Sequence, residues 1–289
     1  MPYTPGAALG GLSATLGGVT LGAVDAEGVA WHLQTLEGWD SSEVRAEYTD
    51  READHGAWAS PVYLGSRPIT LGGKIVAPTQ RLLERAMEQL RAAAGLTDTV
   101  LSVWETEPKQ TVVRRSGKVL LQYETSTVAT YSVMVTAADP GRYAVDVGTG
   151  TTGLPTTSGG LTPPLTPPLV SNAVTVSGEI TAENTGTIPT RLLLTITGPA
   201  DGPQVFTQMP DGTVVILSYT DVLYDGDQLV IDTAAKTCVL NGVVSRRRYL
   251  TVPSGWPAIP AQASVSLQFR ARYYNPTAKL TAQWRSAWM

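Results

Sequence analysis

The chain has 289 residues, more than one hydrophobic core usually serves, so two domains are expected. Only 16% of residues are charged and the formal net charge is −4, which excludes a broad basic field for nucleic acid or an anionic membrane. The single cysteine excludes an intrachain disulfide and a cysteine-based zinc site.

Read from its start, Met1-Pro2-Tyr3-Thr4-Pro5 has no charged or apolar leader, so no signal peptide is expected. No apolar run approaches the ~20 residues of a membrane span, and a reducing compartment is the expected place of synthesis. Ala30–Leu36, Val100–Glu105, Lys118–Tyr123 and Thr130–Thr136 carry strand patterns. Between them, Leu82, Leu83, Ala86, Met87 and Leu90 form one apolar stripe at helical spacing, which predicts a helix over 79–94. Thr79 suits its N-cap and Gly95 a left-handed C-terminal residue. One helix among strands predicts an α+β first domain, 1–147, closed by the turn Asp139-Pro140-Gly141 and a strand over 142–147.

Residues 148–170 are rich in Gly, Thr and Pro and carry no charge, which predicts a semi-rigid linker. The second domain, 171–289, reads as all-β. Its predicted strands are Val174–Ile180, Thr190–Thr197, Gln204–Gln208, Thr213–Tyr219, Gln228–Asp232, Lys236–Leu240, Val265–Tyr273 and Ala278–Trp284. Asp211-Gly212, Asp225-Gly226 and Asn241-Gly242 suit type I′ hairpins between them. Short strands at this spacing favour a β-sandwich over a barrel. Trp284 and Trp288, close to the end, are expected in its core.

Few residues offer chemistry. Gly148-Thr149-Gly150-Thr151-Thr152-Gly153 matches a dinucleotide fingerprint in letters, but Leu154-Pro155 follows where a helix would have to begin. Asp50, Glu52, Asp54 and His55 read first as a solvated hairpin tip turned at Gly56, with a hard-cation site or an acid/base pair as the alternative. His32 alternates with apolar neighbours, and His55 with Ser60 lacks any spacing that implies a triad. Cys238 lies in an apolar run and reads as a buried structural thiol. No catalytic, cofactor-binding or metal-ligating residue is nominated, and a non-enzymatic role is expected. The candidate partner or glycan contacts are Arg246, Arg247, Arg248 and Trp256. The arginines would meet phosphate, an acidic sugar or an acidic protein patch, or else keep a sheet edge solvated. Trp256 would stack on a sugar ring, or else fill the core beside a turn.

The order of these pieces resembles the distal tail (Dit) protein family of long-tailed, non-contractile bacteriophages. The first match runs from Gly38-Trp39-Asp40 to Tyr48, then through an acidic tip to Ile69-Thr70-Leu71-Gly72-Gly73-Lys74-Ile75. Val133–Ala137 with Ala138–Tyr143 is similar to the closing strand and turn of the family's N-terminal domain. In the second half the matching string is Asn184-Thr185-Gly186-Thr187, Ile196–Pro199, Tyr224–Asp227, Leu229–Asp232, Val239–Gly242 and the ending 278–288. The resemblance implies a mainly β protein, an N-terminal ring-forming domain followed by a galectin-like β-sandwich. It also implies a virion structural protein: a homo-hexameric ring at the distal end of the tail tube. Such a ring meets the tube protein and the tail-tip proteins and organises the tip or baseplate for host attachment. A carbohydrate- or receptor-binding module of the tip is the alternative, with a host-surface glycan as partner. A glycan-cleaving tail enzyme using Asp50, Glu52 or Asp54 is a third. No cofactor, nucleic-acid recognition or membrane insertion is implied.

Overall fold

The computed structural model describes Leu9, residues 11–158 and residues 174–289. It forms two compact units, one ending at Val145 and the other running from Asp146 to Trp288.

The first unit is a large antiparallel sheet with a helix on it. Its strands run in the spatial order Val19–Leu21, Ser13–Leu16, Thr99–Trp104, Lys109–Arg115, Val128–Ala137, Arg67–Val76 and Ala30–Glu37. The two longest strands pair over their whole length, from Val128 opposite Val76 to Ala137 opposite Arg67. Alternate residues Ala129, Tyr131, Val133, Val135 and Ala137 point inward, as the two-residue period of a strand requires.

The helix spans Gln80–Ala93 and turns Leu83, Ala86, Met87, Leu90 and Ala93 into the core. The Thr79 hydroxyl accepts the Leu82 N–H at 3.4 Å, which is the expected cap. Gly95 does not take the expected left-handed conformation. The helix stops at Ala94, whose N–H still reaches the Leu90 carbonyl at 3.1 Å.

Between Glu37 and Arg67 the chain leaves the sheet as a two-stranded arm. Val44–Arg45 pairs with Tyr63–Leu64, and Tyr48–Asp50 pairs with Ala57–Ala59. The root of this arm is held by Arg67, whose side chain is wholly buried. Its Nε donates to the Pro140 carbonyl at 2.9 Å, and its Nη1 donates to the carbonyls of Trp39 at 2.5 Å and Gly38 at 3.3 Å.

The second unit is a β-sandwich. One sheet has the order Gly148–Gly153, Lys279–Trp284, Thr190–Thr197, Gln228–Asp232, Thr237–Leu240 and Val244–Ser245. The other has the order Glu179–Asn184, Ala263–Arg270, Gln204–Gln208, Val214–Tyr219 and Leu250–Thr251. Leu194, Ile196, Leu229, Ile231 and Leu280 of the first sheet form one core with Ile180, Val205, Leu217, Leu267 and Phe269 of the second. The protein is therefore mainly β, with an α+β first unit and a sandwich second.

Several expectations are corrected here. The start of the predicted linker, Gly148–Gly153, is a strand paired with Lys279–Trp284. Its glycines made it look like coil, but they serve close packing. A β-carbon at Gly148 would lie 2.5 Å from the Trp284 ring, and one at Gly150 would lie 2.3 Å from Ile180. The Pro-Pro pairs at 163–164 and 167–168 lie outside the described residues. The strand predicted over 174–180 divides into Val174–Val176 and Glu179–Asn184 around Gly178, which has a φ of +71°. Trp284 and Trp288 are half-buried, and the fully buried residue near the chain end is Ala287. Trp284 lies against the core and donates its Nε1–H to the Glu183 carbonyl at 2.7 Å.

Candidate functional site

The candidate contacts gather where the chain crosses from one sheet of the sandwich to the other. Asn241 and Gly242, with φ values of +53° and +71°, turn the chain as a type I′ hairpin needs. Val244–Ser245 then adds an edge to the first sheet, and Leu250–Thr251 adds an edge to the second. Of the three predicted type I′ turns, this one alone has positive φ at both central positions; at Asp211-Gly212 and Asp225-Gly226 only the glycine does. The segment between the two edges is a single 3₁₀ turn, Arg247–Tyr249, not a strand. Its ends are tied: Arg246 N–H donates to the Cys238 carbonyl at 2.7 Å, and Thr220 N–H to the Tyr249 carbonyl at 2.9 Å.

A 3₁₀ turn has about three residues per turn, so successive side chains fan outward. Arg246 leans inward, with its Nη1 3.8 Å from Asp221 and its Cζ 5.4 Å from the centre of the Tyr249 ring. Arg248 lies 4.6 Å from the same ring centre and donates from Nη2 to the Tyr249 hydroxyl at 2.7 Å. Arg247 lies 5.1 Å over the ring of Trp256 and donates from Nη1 to the Leu250 carbonyl at 2.8 Å. A fourth guanidinium, that of Arg191, reaches the Trp256 carbonyl at 3.4 Å. The two rings are half-buried and rest on the sandwich core, so they act as fixed platforms. Each such contact contributes roughly 0.5–1 kcal/mol at an exposed site and limits where the guanidinium sits. Tyr219 supports the platform from below, edge-on to Tyr249 at 6.3 Å. Burial, with Asp221 nearby, pushes the Tyr219 phenol up to about 12.

The structure thus unites all the nominated contacts and adds Arg191 and Tyr249. Sequence reasoning missed Arg191 because it stands alone at the start of a strand far along the chain. It also changes the role open to Trp256, because the ring lies on the core and beneath Arg247 rather than bare to solvent.

The other nominated residues lie elsewhere. Asp50, Glu52, Asp54 and His55 form the exposed tip of the arm, where Arg51 pairs with Asp54 at 3.8 Å and lies over Trp58. No group of three potential metal ligands occurs among the described residues. The Ser60 hydroxyl donates to the Glu47 carbonyl at 2.7 Å, and His32 is on the exposed face of its strand. The residues of the glycine fingerprint form the strand described above. No helix among the described residues is long and apolar enough to cross a membrane.

Cys238 is fully buried beneath the crossover, and burial pushes its thiol up to about 11. A thiolate is the reactive form, so native protein at neutral pH is expected to leave Cys238 unlabelled by a disulfide-exchange reagent. Full labelling should follow denaturation; rapid labelling of the native chain would contradict the burial.

No protein-family model matches the chain, and neither does any curated protein. Solved structures do. The SPP1 Dit protein, a paradigm of the hub adsorption apparatus in phages infecting Gram-positive bacteria, aligns with a TM-score of 0.64 at 14% identity. The alignment covers 96% of this chain and 99% of that one. The chain has the fold of a phage distal tail protein. A chain of the phage P2 baseplate in its activated conformation aligns with a TM-score of 0.49 at 8% identity, over 94% of this chain and 97% of that one.

Proposed function

We propose that this chain is a structural protein of a phage virion: a hub at the distal end of the tail tube, assembled as a hexameric ring, that organises the tail tip for host attachment. The observation that carries this reading is the fold match to a hub protein over nearly the whole of both chains. The ring surface is assigned to the first unit. Its arm exposes Val44, Tyr48, Trp58, Val62 and Tyr63, each more than half accessible. Tyr48 and Trp58 sit at adjacent register positions and so project from opposite faces of the hairpin. A two-stranded hairpin with apolar side chains on both faces is marginal in water by itself and gains stability against a second copy. Closed rings need such a heterologous contact, in which one face of each subunit meets a different face of the next.

The full-length chain should therefore have a solution mass of six copies, and ring particles should be visible by electron microscopy. A monomer or dimer at assembly concentrations would oppose the ring. Changing Tyr48, Trp58 and Tyr63 together to Ser is expected to yield folded monomers, because the arm lies outside the core. Intact rings in that variant would move the interface elsewhere. The second unit, taken from Asp146 so that it keeps its Gly148–Gly153 strand, is expected to remain monomeric.

A further inference from the structure

The geometry points to the crossover of the sandwich as a binding site for a flexible polymer carrying phosphate groups, read by the forks of Arg247 and Arg248. This goes beyond the hub reading and depends only on the second unit. That unit is charge-balanced, with nine Lys and Arg against nine Asp and Glu between residues 146 and 288. Four of the nine cations are nevertheless gathered here: Arg246 and Arg248 on the ring of Tyr249, Arg247 on that of Trp256, and Arg191 at the Trp256 carbonyl. Asp221 forms an ion pair with Arg246, and the Asp227 carboxylate also feels that charge, so both temper Arg246. Arg246 is the structural member of the set, with its head partly buried and engaged with the Asp221 carboxylate. Arg247 and Arg248 are exposed, and each spends part of its fork on a neighbour while its plane is fixed by an aromatic ring.

Three physical arguments select the ligand. A guanidinium whose stem and plane are already held loses less freedom on forming a bidentate contact than a free one, and its remaining N–H groups match the oxygens of a phosphate. Both aromatic rings are engaged, against the core on one side and by guanidinium on the other, so sugar stacking has no open ring to use. The same lidding removes the desolvated apolar anchor on which protein interfaces usually depend, which argues against an acidic protein partner. Arg247 and Arg248 lie on different rings, those of Trp256 and Tyr249, and belong to a 3₁₀ turn around which successive side chains fan apart. A row of anions on a flexible backbone can follow that fan and engage both forks.

The test uses the full-length protein with long-chain inorganic polyphosphate as probe, and polyglutamate and neutral dextran as comparators. Polyphosphate should bind, polyglutamate more weakly, and dextran not at all. The paired change Arg247→Ser with Arg248→Ser should weaken polyphosphate binding by about tenfold or more. It should also reduce the slope of log affinity against log salt by about 1.4, as expected for two lost contacts to a single flexible chain. The pair Arg247→Lys with Arg248→Lys keeps the charge and loses the fork, so it should fall between wild type and the Ser pair. Should the Ser pair fail to fold, Arg248→Glu alone changes an exposed head and should give the same direction. Polyphosphate binding that is absent, or unchanged in the Ser pair and in Arg248→Glu, would overturn the assignment. Polyglutamate binding as tight as polyphosphate would transfer the patch to an acidic protein, and retention of dextran would transfer it to a neutral glycan.

Discussion

Replacing Arg67 with methionine is expected to destabilise the first unit by about 3–5 kcal/mol, the cost of stranding buried carbonyls. The side chain is wholly buried, and three backbone carbonyls, those of Gly38, Trp39 and Pro140, depend on its N–H groups. Each stranded carbonyl costs roughly 1–3 kcal/mol. Two effects work in the opposite direction. Burial already holds the guanidinium below its ordinary pKa, and its Nη2 has no protein partner, so removing the group relieves some desolvation. The carbonyls outnumber that relief, which sets the sign. Lysine offers a single head where the site needs a fork across two chain segments, so Arg67→Lys should recover only part of the loss. Denaturant unfolding with an unchanged slope would measure the cost. Hydrogen exchange should also rise over 38–66, because Arg67 fixes the arm root to the 139–141 turn. A variant within about 1 kcal/mol of wild type would show that the carbonyls find other donors.

The second large effect is expected at Asn184, the fully buried amide of the sandwich. Its Nδ2 donates to the carbonyls of Ile188 at 2.8 Å, Pro260 at 3.0 Å and Ile259 at 3.3 Å. Its Oδ1 accepts the N–H of Gly186 at 3.0 Å and of Ala287 at 3.2 Å. One side chain thus ties the 186–188 turn, the 259–260 segment and the backbone at Ala287. Asn184→Leu has similar bulk and satisfies none of these groups, so about 3–5 kcal/mol should be lost from the sandwich. Asn184→Asp keeps the acceptor and turns a carboxylate toward three carbonyls, and should be at least as costly near neutral pH. The first unit should unfold as before in both variants. The close approach leaves no room for repair at Gly186, where a β-carbon would lie 1.9 Å from the Ala287 carbonyl oxygen. An Asn184→Leu protein whose sandwich melts at the wild-type temperature would show that Asn184 does not hold these segments together.

How far these features could be read from the chain follows from where their causes lie. The helix was legible because its cap and its apolar stripe are local, within Thr79–Ala93. Thr190–Thr197, Gln204–Gln208 and Gln228–Asp232 were legible because burial alternates along each strand. Gly148–Gly153 was misread because its meaning lies across space, under Trp284 and Ile180. The arginine run stood out by composition, but its direction depends on a crossover between two sheets that no local pattern announces. Arg67 and Asn184 were invisible as keystones for the same reason: their acceptors include Pro140 and Pro260, far along the chain.

The pairing of Gly148 opposite Trp284 means that the first and last long strands of the sandwich are neighbours, with the chain arriving and leaving at the same end. A unit built this way resembles a cassette. It can be lifted out, exchanged for another with the same pair of adjacent ends, or reopened elsewhere by circular permutation, without rethreading what precedes it. Substitutions or insertions confined to this half of the chain would therefore leave the folding of the other half untouched.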